Sequence, residues 1–319
     1  MSDIDVLTVV DRTRFLTPQL AASFSLHDRL HDTDAEAFAR VAPRVRAILA
    51  SADSRVTQAL MTQLPALEII AVIGVGYDGI DVASARAQGV VVTHTPGVLD
   101  DDVADHALAL MLAAARQLPA ADRYVREGLW PDGPLPLGRK MSGARLGLVG
   151  MGRIGQAIAK RAAAFGMSIA YTARGAKPSL PYTYFPDPSA LAAASDFLVV
   201  ITPGGVGTRK LIDAGVLAAL GAKGILVNVA RGSVVDETAL IDALERGVIA
   251  GAGLDVFESE PGVPQRLQAL PHVVLSPHIA SATVQTRQAM VDLAFANLVE
   301  HFAGRALPSP VPECVAPSL

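Results

Sequence analysis

The chain has very little of what marks an exported, membrane-bound or nucleic-acid-binding protein. Cys314 is the only cysteine among 319 residues, so no internal disulfide can form, which suits a reducing compartment. The formal net charge of −4 gives no positive field to attract nucleic acid. The apolar run 107–115 stops at Arg116, and the N-terminus is acidic where a signal peptide is basic and then apolar. We therefore expect a cytoplasmic protein that binds neither nucleic acid nor membrane.

Aromatic side chains are also few, at 5% of the chain, with one Trp, five Tyr and nine Phe. None of them can be assigned to a binding pocket from the sequence. Hydrophobic residues, in contrast, make up 51% of the chain, and many of these are alanine. A chain of 319 residues is long enough to bury two separate cores, so two domains are expected.

Short β-rich runs alternate with helical runs along the chain. This alternation predicts the α/β class, in which helices cover both faces of a parallel sheet. We predict two doubly wound parallel-sheet domains: a Rossmann cofactor domain at 100–285, inserted into a flavodoxin-like substrate domain made of 1–99 and 286–319. The predicted strands are 6–10, 47–50, 68–73, 90–93, 146–149, 168–172, 197–201, 224–229, 249–254 and 272–275. The predicted helices are 18–25, 34–41, 55–64, 103–118, 189–194, 214–220, 237–246 and 282–302, the last of which returns the chain to the first domain.

The clearest motif is the segment 150–155, Gly-Met-Gly-Arg-Ile-Gly, which follows the apolar strand 146–149 and precedes an alanine-rich helix. In that context the glycine spacing is the fingerprint of a dinucleotide site. Gly150 allows a tight turn, Gly152 lets the backbone approach a diphosphate, and Gly155 lets the helix pack on the strand. The helix N-terminus then favours the negative charge of the diphosphate.

Other segments allow more than one interpretation. The glycine-rich loop 73–79 follows a strand and is either a plain turn or a loop whose amides hold a small anion such as a carboxylate. The aspartates 100–102 are well placed to cap the helix 103–118, and a divalent-metal site is disfavoured because no His or Glu stands at ligand spacing. The helix interior 107–115 is apolar nearly all round, so we expect it to be buried against a domain or a second subunit. A Pro/Gly-rich connector, 130–136, leads into the dinucleotide segment.

Candidates for chemistry follow from one rule, which places ligands at the carboxyl ends of parallel strands. Arg231, Asp255 and His278 each follow a predicted strand, and Glu260 comes shortly after Asp255. Reduction of a 2-oxo acid needs a cation that grips the carboxylate and polarises the ketone, and the planar fork of arginine suits this task. It also needs a proton donor that works near pH 7, which is histidine, and it gains from a carboxylate beside that histidine. Arg231, His278 and Glu260 fit these three tasks, although each alone could equally be an ordinary loop residue.

The second strand of the dinucleotide segment predicts which cofactor is bound. NAD-specific sites place an Asp or Glu about 20 residues beyond the glycine motif, where it binds the ribose hydroxyls. No acidic residue occurs between Gly155 and Asp187. Arg174 and Lys177 instead put two positive charges where a 2′-phosphate would lie, and Thr172 can donate a hydrogen bond. We predict NADPH over NADH; the alternative is a solvated basic loop.

These stretches together resemble the D-isomer-specific 2-hydroxyacid dehydrogenases, and more closely the branch of glyoxylate/hydroxypyruvate reductases and hydroxyphenylpyruvate reductases. The resemblance spans most of the chain in the order of the family's motifs. One departure is the loop 202–207, which is richer in glycine than the usual loop and leaves the fit around the cofactor ribose open. The matching stretches are 75–78, 95–105, 150–155, 228–236, 253–261 and 277–281.

The resemblance implies a role for each matching position. Arg231 would bind the carboxylate and the ketone, Glu260 would pair with His278, and His278 would deliver the proton. The amides of Val75 and Gly76 would hold the substrate carboxylate. Similar proteins are homodimers joined through the cofactor domain. On the cofactor side the positions are Arg153 and Ile154 at the pyrophosphate, Asp255 and Ala280 at the nicotinamide, and Thr202 and Val229 among the remaining contacts.

The function implied is NADPH-dependent reduction of small 2-oxo acids, with glyoxylate and hydroxypyruvate first and no metal. Phenylpyruvate-type acids and 2-ketogluconate are the nearest alternative substrates. A function of another class is a dinucleotide-sensing corepressor, because some corepressors resemble this family. Those usually carry extended tails, whereas this chain ends at Leu319, so the enzyme is preferred.

Overall fold

The computed structural model of the protein describes residues 4–10 and 18–315. The strands are β1 Asp5–Thr8, β2 Ser25–Asp28, β3 Val45–Ser51, β4 Ile69–Ile73, β5 Val91–Thr93, β6 Arg145–Val149, β7 Ser168–Thr172, β8 Thr183–Tyr184, β9 Phe197–Val200, β10 Ile225–Asn228, β11 Gly251–Leu254 and β12 Val273–Leu275. The helices are α1 Pro18–Ser23, α2 Leu30–Thr33, α3 Ala35–Val41, α4 Gln58–Thr62, α5 Val82–Ala87, α6 Asp100–Arg116, α7 Leu118–Arg126, α8 Arg153–Ala164, α9 Pro188–Ala193, α10 Ala214–Leu220, α11 Glu237–Glu245, α12 Gln265–Gln268 and α13 Val284–Phe302. Among the described residues, no helix combines the length and the apolar character that crossing a membrane requires.

The chain divides into two compact units, Met1–Leu99 with Thr283–Leu319, and Asp100–Ala282. The division falls three residues before the boundary expected from the sequence, at the loop that precedes α13. Thr283 is the N-cap of α13, because its hydroxyl accepts a hydrogen bond from the backbone N–H of Thr286 at 3.2 Å. The assignment of one unit to the substrate and the other to the cofactor stays a prediction.

The first unit is built on a five-stranded parallel sheet with the strand order β2-β1-β3-β4-β5. All five residues of β4 are buried, and α13 packs against this strand. The chain after α13 adds to the same sheet. Pro310 forms an antiparallel bridge to Thr93, and Val311 is fully buried in the core of this unit. Residues from both ends of the described chain therefore build one core.

The second unit is built on a seven-stranded parallel sheet with the order β12-β11-β10-β9-β6-β7-β8. Strand β6 pairs with β7 on one side and with β9 on the other, so the order reverses there. Ligands of doubly wound sheets bind at the carboxyl ends of the strands beside such a reversal. Two parallel sheets in an α/β chain confirm the predicted fold class.

Helix α6 lies inside the second unit and packs against α8, β10 and β11. Eight of its residues are buried, so the apolar helix interior is covered by its own domain. A Cβ on Gly253 of β11 would stand 3.0 Å from the Cβ of Leu110, which shows how closely helix and strand approach. The sequence left open whether this helix is buried against a domain or against a second subunit. In the structure it is buried against its own domain.

The predicted start and end of this helix were wrong. Asp100, Asp101 and Asp102 form its first turn and are not caps before it. In the first turn their negative charges still interact favourably with the positive end of the helix dipole. Asp101 pairs with Arg161 of α8 at 3.0 Å. The helix ends at Arg116 because Gln117 has a left-handed backbone with φ 51°, and the unpredicted helix α7 follows.

Two of the four edge strands, β2 and β8, were also missed, whereas β5 and β12 were predicted. Ser25–Asp28 is strand β2, although a helix was predicted to continue to residue 25. Every residue of β2 is half-buried, so no alternation of buried and exposed positions marks it in the sequence. The extended conformation of β2 is fixed by its parallel pairing with β1, and that of the short strand β8 is fixed in the same way by pairing with β7.

Candidate functional site

The glycine motif stands at the carboxyl end of β6, and close contacts require a glycine at two of its three positions. Gly150 has φ 113°, and a Cβ there would stand 2.7 Å from the carbonyl oxygen of Ile201. A Cβ on Gly155 would stand 2.4 Å from the carbonyl oxygen of Gly150, so helix α8 could not pack so closely on the turn. A Cβ on Gly152, in contrast, would meet no described atom within 4 Å apart from its chain neighbours.

This geometry fits the diphosphate of a dinucleotide. Gly152 is the N-cap of α8, so the N–H groups of the first turn point outward without partners in the helix. Arg153 and Ile154 begin that turn. Space beside Gly152, exposed amides and the positive end of a 12-residue helix together make an anion site.

The loop after β7 holds the two basic residues predicted to select the cofactor. Tyr171 is 1% exposed, and its hydroxyl accepts a hydrogen bond from the backbone N–H of Lys177 at 2.6 Å. This bond folds the loop back over the end of β7. Arg174 lies exposed at the tip, whereas Thr172 is buried. No pattern in the sequence indicated that Tyr171 shapes this loop.

Thr202 and Val229 follow the next two strands, β9 and β10. The backbone nitrogen of Thr202 lies 2.9 Å from the position of a Cβ on Gly150, so Thr202 borders the glycine turn. Val229 donates its N–H to the carbonyl of Val200 at 3.2 Å. The glycine-rich loop that follows is closed by Thr208, whose hydroxyl donates to the carbonyl of Pro203 at 2.7 Å.

Arg231 is placed by a tight turn after β10. The side chain of Asn228 accepts a hydrogen bond from the N–H of Ala230 at 3.1 Å and donates one to the carbonyl of Arg231 at 3.0 Å. A Cβ on Gly232 would overlap the carbonyl group of Phe257, at 1.9 to 2.0 Å. The turn that carries Arg231 is therefore packed directly against the segment that leads to Glu260.

Glu260 and His278 form a hydrogen-bonded pair, with Nδ1 of His278 2.7 Å from Oε2 of Glu260. The other carboxylate oxygen of Glu260 accepts the N–H of Phe257 at 2.9 Å. Burial raises the pKa of Glu260, but hydrogen bonding and charge from His278, the Phe257 amide and the charge of Arg231 outweigh it and hold the pKa below its ordinary value. The ionised carboxylate can only accept, so Nδ1 carries a hydrogen and Nε2 is left for proton transfer.

Asp255 and Ala280 lie next to this pair. The carboxylate of Asp255 is fully buried and accepts the N–H groups of Ile279 and Ala280, both at 2.9 Å. Its two oxygens are thus used within the protein, which the sequence did not indicate. Arg231, Asp255, Glu260, His278 and Ala280 all follow strands of one parallel sheet and share its carboxyl edge with the glycine motif.

Val75 and Gly76 belong to the first unit, where they follow β4. The carbonyl of Val75 accepts a hydrogen bond from Nδ1 of His94 at 3.0 Å, and the ring of Tyr77 stands edge-on to His94 with centroids 5.4 Å apart. The hydroxyl of Tyr77 donates to Glu313 at 3.0 Å. His94 and Glu313 were not identified from the sequence, because they come from segments far from the loop that they hold.

Comparison with known proteins agrees with this geometry. Residues 108–280 match the family model described as D-isomer specific 2-hydroxyacid dehydrogenase, NAD binding domain. The chain is 49% identical to glyoxylate/hydroxypyruvate reductase A of Arabidopsis thaliana, over 84% of this chain and 85% of that protein. It is 43% identical to hydroxyphenylpyruvate reductase of Plectranthus scutellarioides, over 98% of this chain and 100% of that protein. Among solved structures, the NADPH-dependent glyoxylate/hydroxypyruvate reductase of Sinorhizobium meliloti, in complex with NADP and malonate, superimposes with a TM-score of 0.90 at 44% identity, covering 98% of both chains.

Proposed function

Because the chain belongs to the D-isomer-specific 2-hydroxyacid dehydrogenase family, we propose that it reduces small 2-oxo acids with NADPH, glyoxylate and hydroxypyruvate before others. The observation that carries this proposal is the 2.7 Å pair of His278 and Glu260, with the charge of Arg231 acting on the same carboxylate. A proton donor held by an ionised carboxylate beside an arginine is the set of groups that ketone reduction needs. The glycine motif on the same sheet edge supplies the dinucleotide site.

The protein's residues divide the reaction between them. Arg231 binds the substrate carboxylate through its planar fork and polarises the carbonyl. The glycine motif, with Arg153 and Ile154, would hold the dinucleotide, whose dihydronicotinamide would supply the hydride for the new C–H bond at the carbonyl carbon. His278 gives its Nε2 proton to the carbonyl oxygen, and Glu260 stabilises the charged imidazole ring before that transfer. The amides of Val75 and Gly76 are proposed to hold the carboxylate.

A comparison of initial rates tests the substrate class. Glyoxylate, hydroxypyruvate, pyruvate, phenylpyruvate and 2-ketogluconate are each offered with NADPH at saturating concentration. We expect the highest kcat/KM with glyoxylate or hydroxypyruvate. NADPH binding without turnover of any of these acids would contradict the enzyme and favour the dinucleotide-sensing corepressor.

Replacing Glu260 with Gln should shift the pH dependence and leave a working enzyme. Removing the negative charge 2.7 Å from Nδ1 disfavours the protonated ring. As the pH rises, the variant should therefore lose its activity at a lower pH than the wild type does. The measurement is the basic limb of the kcat/KM profile. Glu258→Gln is the control, since Glu258 is a nearby carboxylate that pairs with Arg209. An unchanged basic limb in Glu260→Gln would show that Glu260 is not the partner in the reaction.

Arg174 is proposed to bind the 2′-phosphate of NADPH, with Thr172 and Lys177 beside it. A hydrogen bond to a charged group contributes roughly 1.5–3 kcal/mol, so Arg174→Ala should weaken NADPH binding by about 10- to 150-fold. Binding of NADH should hardly change, because it has no phosphate there. Arg246→Ala, which removes an exposed arginine elsewhere in the same unit, serves as the control for general electrostatics. If Arg174→Ala lost equal affinity for NADPH and NADH, Arg174 would not be the residue that binds the 2′-phosphate.

A homodimer is proposed through an arm of the second unit, residues 118–137, which exposes a set of apolar side chains among charged ones. The arm exposes Leu118 (52%), Val125 (56%), Leu129 (38%), Trp130 (68%) and Leu137 (97%). Exposed apolar residues gathered in one short segment mark an interaction surface. Because α6 is covered by its own domain, this arm replaces that helix as the proposed interface.

Trp130→Asp should convert the dimer to a monomer, because it replaces the bulkiest exposed apolar side chain of the arm with a charge. Sedimentation velocity measures the result. Val206→Asp is the matched control, since Val206 is a fully exposed valine of the same unit outside the arm. A wild type that sediments as a monomer, or a Trp130→Asp variant that stays dimeric, would contradict this interface.

A further inference from the structure

A hydrogen-bonded chain of three side chains, buried at Ser276 and Asp255 and half-buried at His106, supports the segment that carries His278. It runs from His106 on α6 through Ser276, just after β12, to Asp255, just after β11. Nε2 of His106 lies 2.9 Å from Oγ of Ser276, and that Oγ lies 2.6 Å from Oδ1 of Asp255. The Asp255 side chain is 1% exposed and that of His106 is 20% exposed. Neither His106 nor Ser276 has a part in the proposed reaction.

The distances settle which atom donates in each step. Burial raises the pKa of Asp255, but hydrogen bonds from His106, Ser276 and the amides of Ile279 and Ala280 outweigh it, so the carboxylate is ionised and only accepts. The single hydroxyl hydrogen of Ser276 goes to Asp255, because the other acceptor, the carbonyl of Leu254, is farther away at 3.4 Å. Oγ of Ser276 then accepts from Nε2–H of His106 at 2.9 Å, and the same Nε2 lies 3.3 Å from Oδ1 of Asp255. The three side chains thus form a line of donors, in which His106 donates to Ser276 and Ser276 donates to the carboxylate of Asp255.

Asp255 in turn holds the His278 segment on both sides. Its carboxylate binds the amides of Ile279 and Ala280, and its main-chain carbonyl accepts the N–H of His278 at 2.8 Å. His278 has φ 52°, a left-handed conformation that residues with a side chain adopt rarely. Such a conformation persists only where the surroundings determine it, and the contacts of Asp255 do so here.

We propose that Ser276 and His106 are positioning residues for the proton donor. They fix the orientation of the Asp255 carboxylate, which fixes the backbone on which His278 and its pairing with Glu260 depend. If the buried Ser276 and the half-buried His106 only filled space, apolar residues of similar size would be favoured, because they avoid the desolvation of polar groups. The inference rests on the proposed function for its effect on catalysis, whereas the holding of the segment is independent of any reaction.

The kinetic part of the test compares Ser276→Ala and His106→Leu with His106→Gln. The first two variants break the line of donors, whereas glutamine keeps an N–H that can reach Oγ of Ser276. We expect Ser276→Ala and His106→Leu to lose roughly 10- to 100-fold in kcat, because small misplacements of a reacting group have effects of this size. The KM for the 2-oxo acid and the Kd for NADPH should stay within about twofold, and His106→Gln should recover most of kcat. Ser195→Ala is the matched control, since Ser195 is a buried serine of the same unit that donates to the carbonyl of Leu191 at 2.7 Å.

Amide hydrogen exchange provides the readout that does not depend on activity. In Ser276→Ala and His106→Leu, the amides of Ile279 and Ala280 should exchange at least tenfold faster, while His106→Gln and Ser195→Ala leave them unchanged. Unchanged exchange and kcat in both disrupting variants would overturn the proposal, as would faster exchange together with wild-type kcat. A wild type that turns over no 2-oxo acid would contradict the proposed function but not the structural role of His106 and Ser276. In that case faster exchange in the variants would still establish that His106 and Ser276 help to hold the His278 segment. Unchanged exchange would overturn this structural role as well.

Discussion

His278→Ala is expected to bind NADPH with wild-type affinity and to lose about 10²- to 10⁴-fold in kcat. This range is the usual contribution of a positioned general acid or base. Cofactor affinity should be kept because the side chain of His278 contacts Glu260, and the dinucleotide motif stands on another strand of the sheet. Stopped-flow measurement of a single turnover, together with NADPH titration by fluorescence, separates the chemical step from binding.

His272→Ala is the control, because it removes an imidazole from the same β11–β12 region. It should keep kcat within about twofold, in the range of ordinary surface substitutions. A His278→Ala enzyme with near-wild-type turnover would remove His278 from the reaction. Loss of NADPH affinity in step with kcat would assign it to the cofactor instead.

Arg231→Ala should cost about 10²- to 10⁴-fold in kcat/KM for the 2-oxo acid. The fork of an arginine can make two hydrogen bonds to a carboxylate, each contributing roughly 1.5–3 kcal/mol, and 1.4 kcal/mol corresponds to a factor of ten. The loss should appear in the KM for the 2-oxo acid as well as in kcat, because the carboxylate is bound before and during the reaction.

Arg231→Lys shows whether charge or geometry matters. An ammonium keeps the charge but cannot form the planar fork, so most of the loss should remain. If lysine restored full activity, a point charge would be enough and the bidentate contact would be wrong. A defect confined to the KM for NADPH would place Arg231 at the cofactor.

Some of the site could be predicted from the sequence because it depends on local rules. The turn from β6 into α8 is specified by glycines whose requirements are met within a few residues, at Gly150 and Gly155. The place of Arg231 and His278 could be predicted because the carboxyl ends of parallel strands meet at one sheet edge, whereas their roles stay predictions. Strands β7 and β9 were found for a similar reason, since apolar runs bounded by turns mark central strands.

The rest depends on contacts between distant segments. His106 and Ser276 stand 170 positions apart, and no spacing in the sequence connects them. Tyr171 holds the loop of Arg174 through a backbone amide, which any residue at position 177 except proline could supply. The break at Gln117 uses a left-handed backbone without a glycine, so the usual signal for the end of a helix is absent.

The packing of α13 against β4 sets the order in which a growing chain can fold. Strand β4 leaves the ribosome long before residues 284–302, and the core of the first unit also includes Val311. The second unit is a continuous segment, so all of its packing partners emerge while the helix that completes the first unit is still to be made. During synthesis the dinucleotide-binding half is therefore expected to mature first. Both edges of β4 are paired, with β3 and β5, so what waits for α13 is the apolar face of the first sheet, and during that interval a chaperone would protect this face from aggregation.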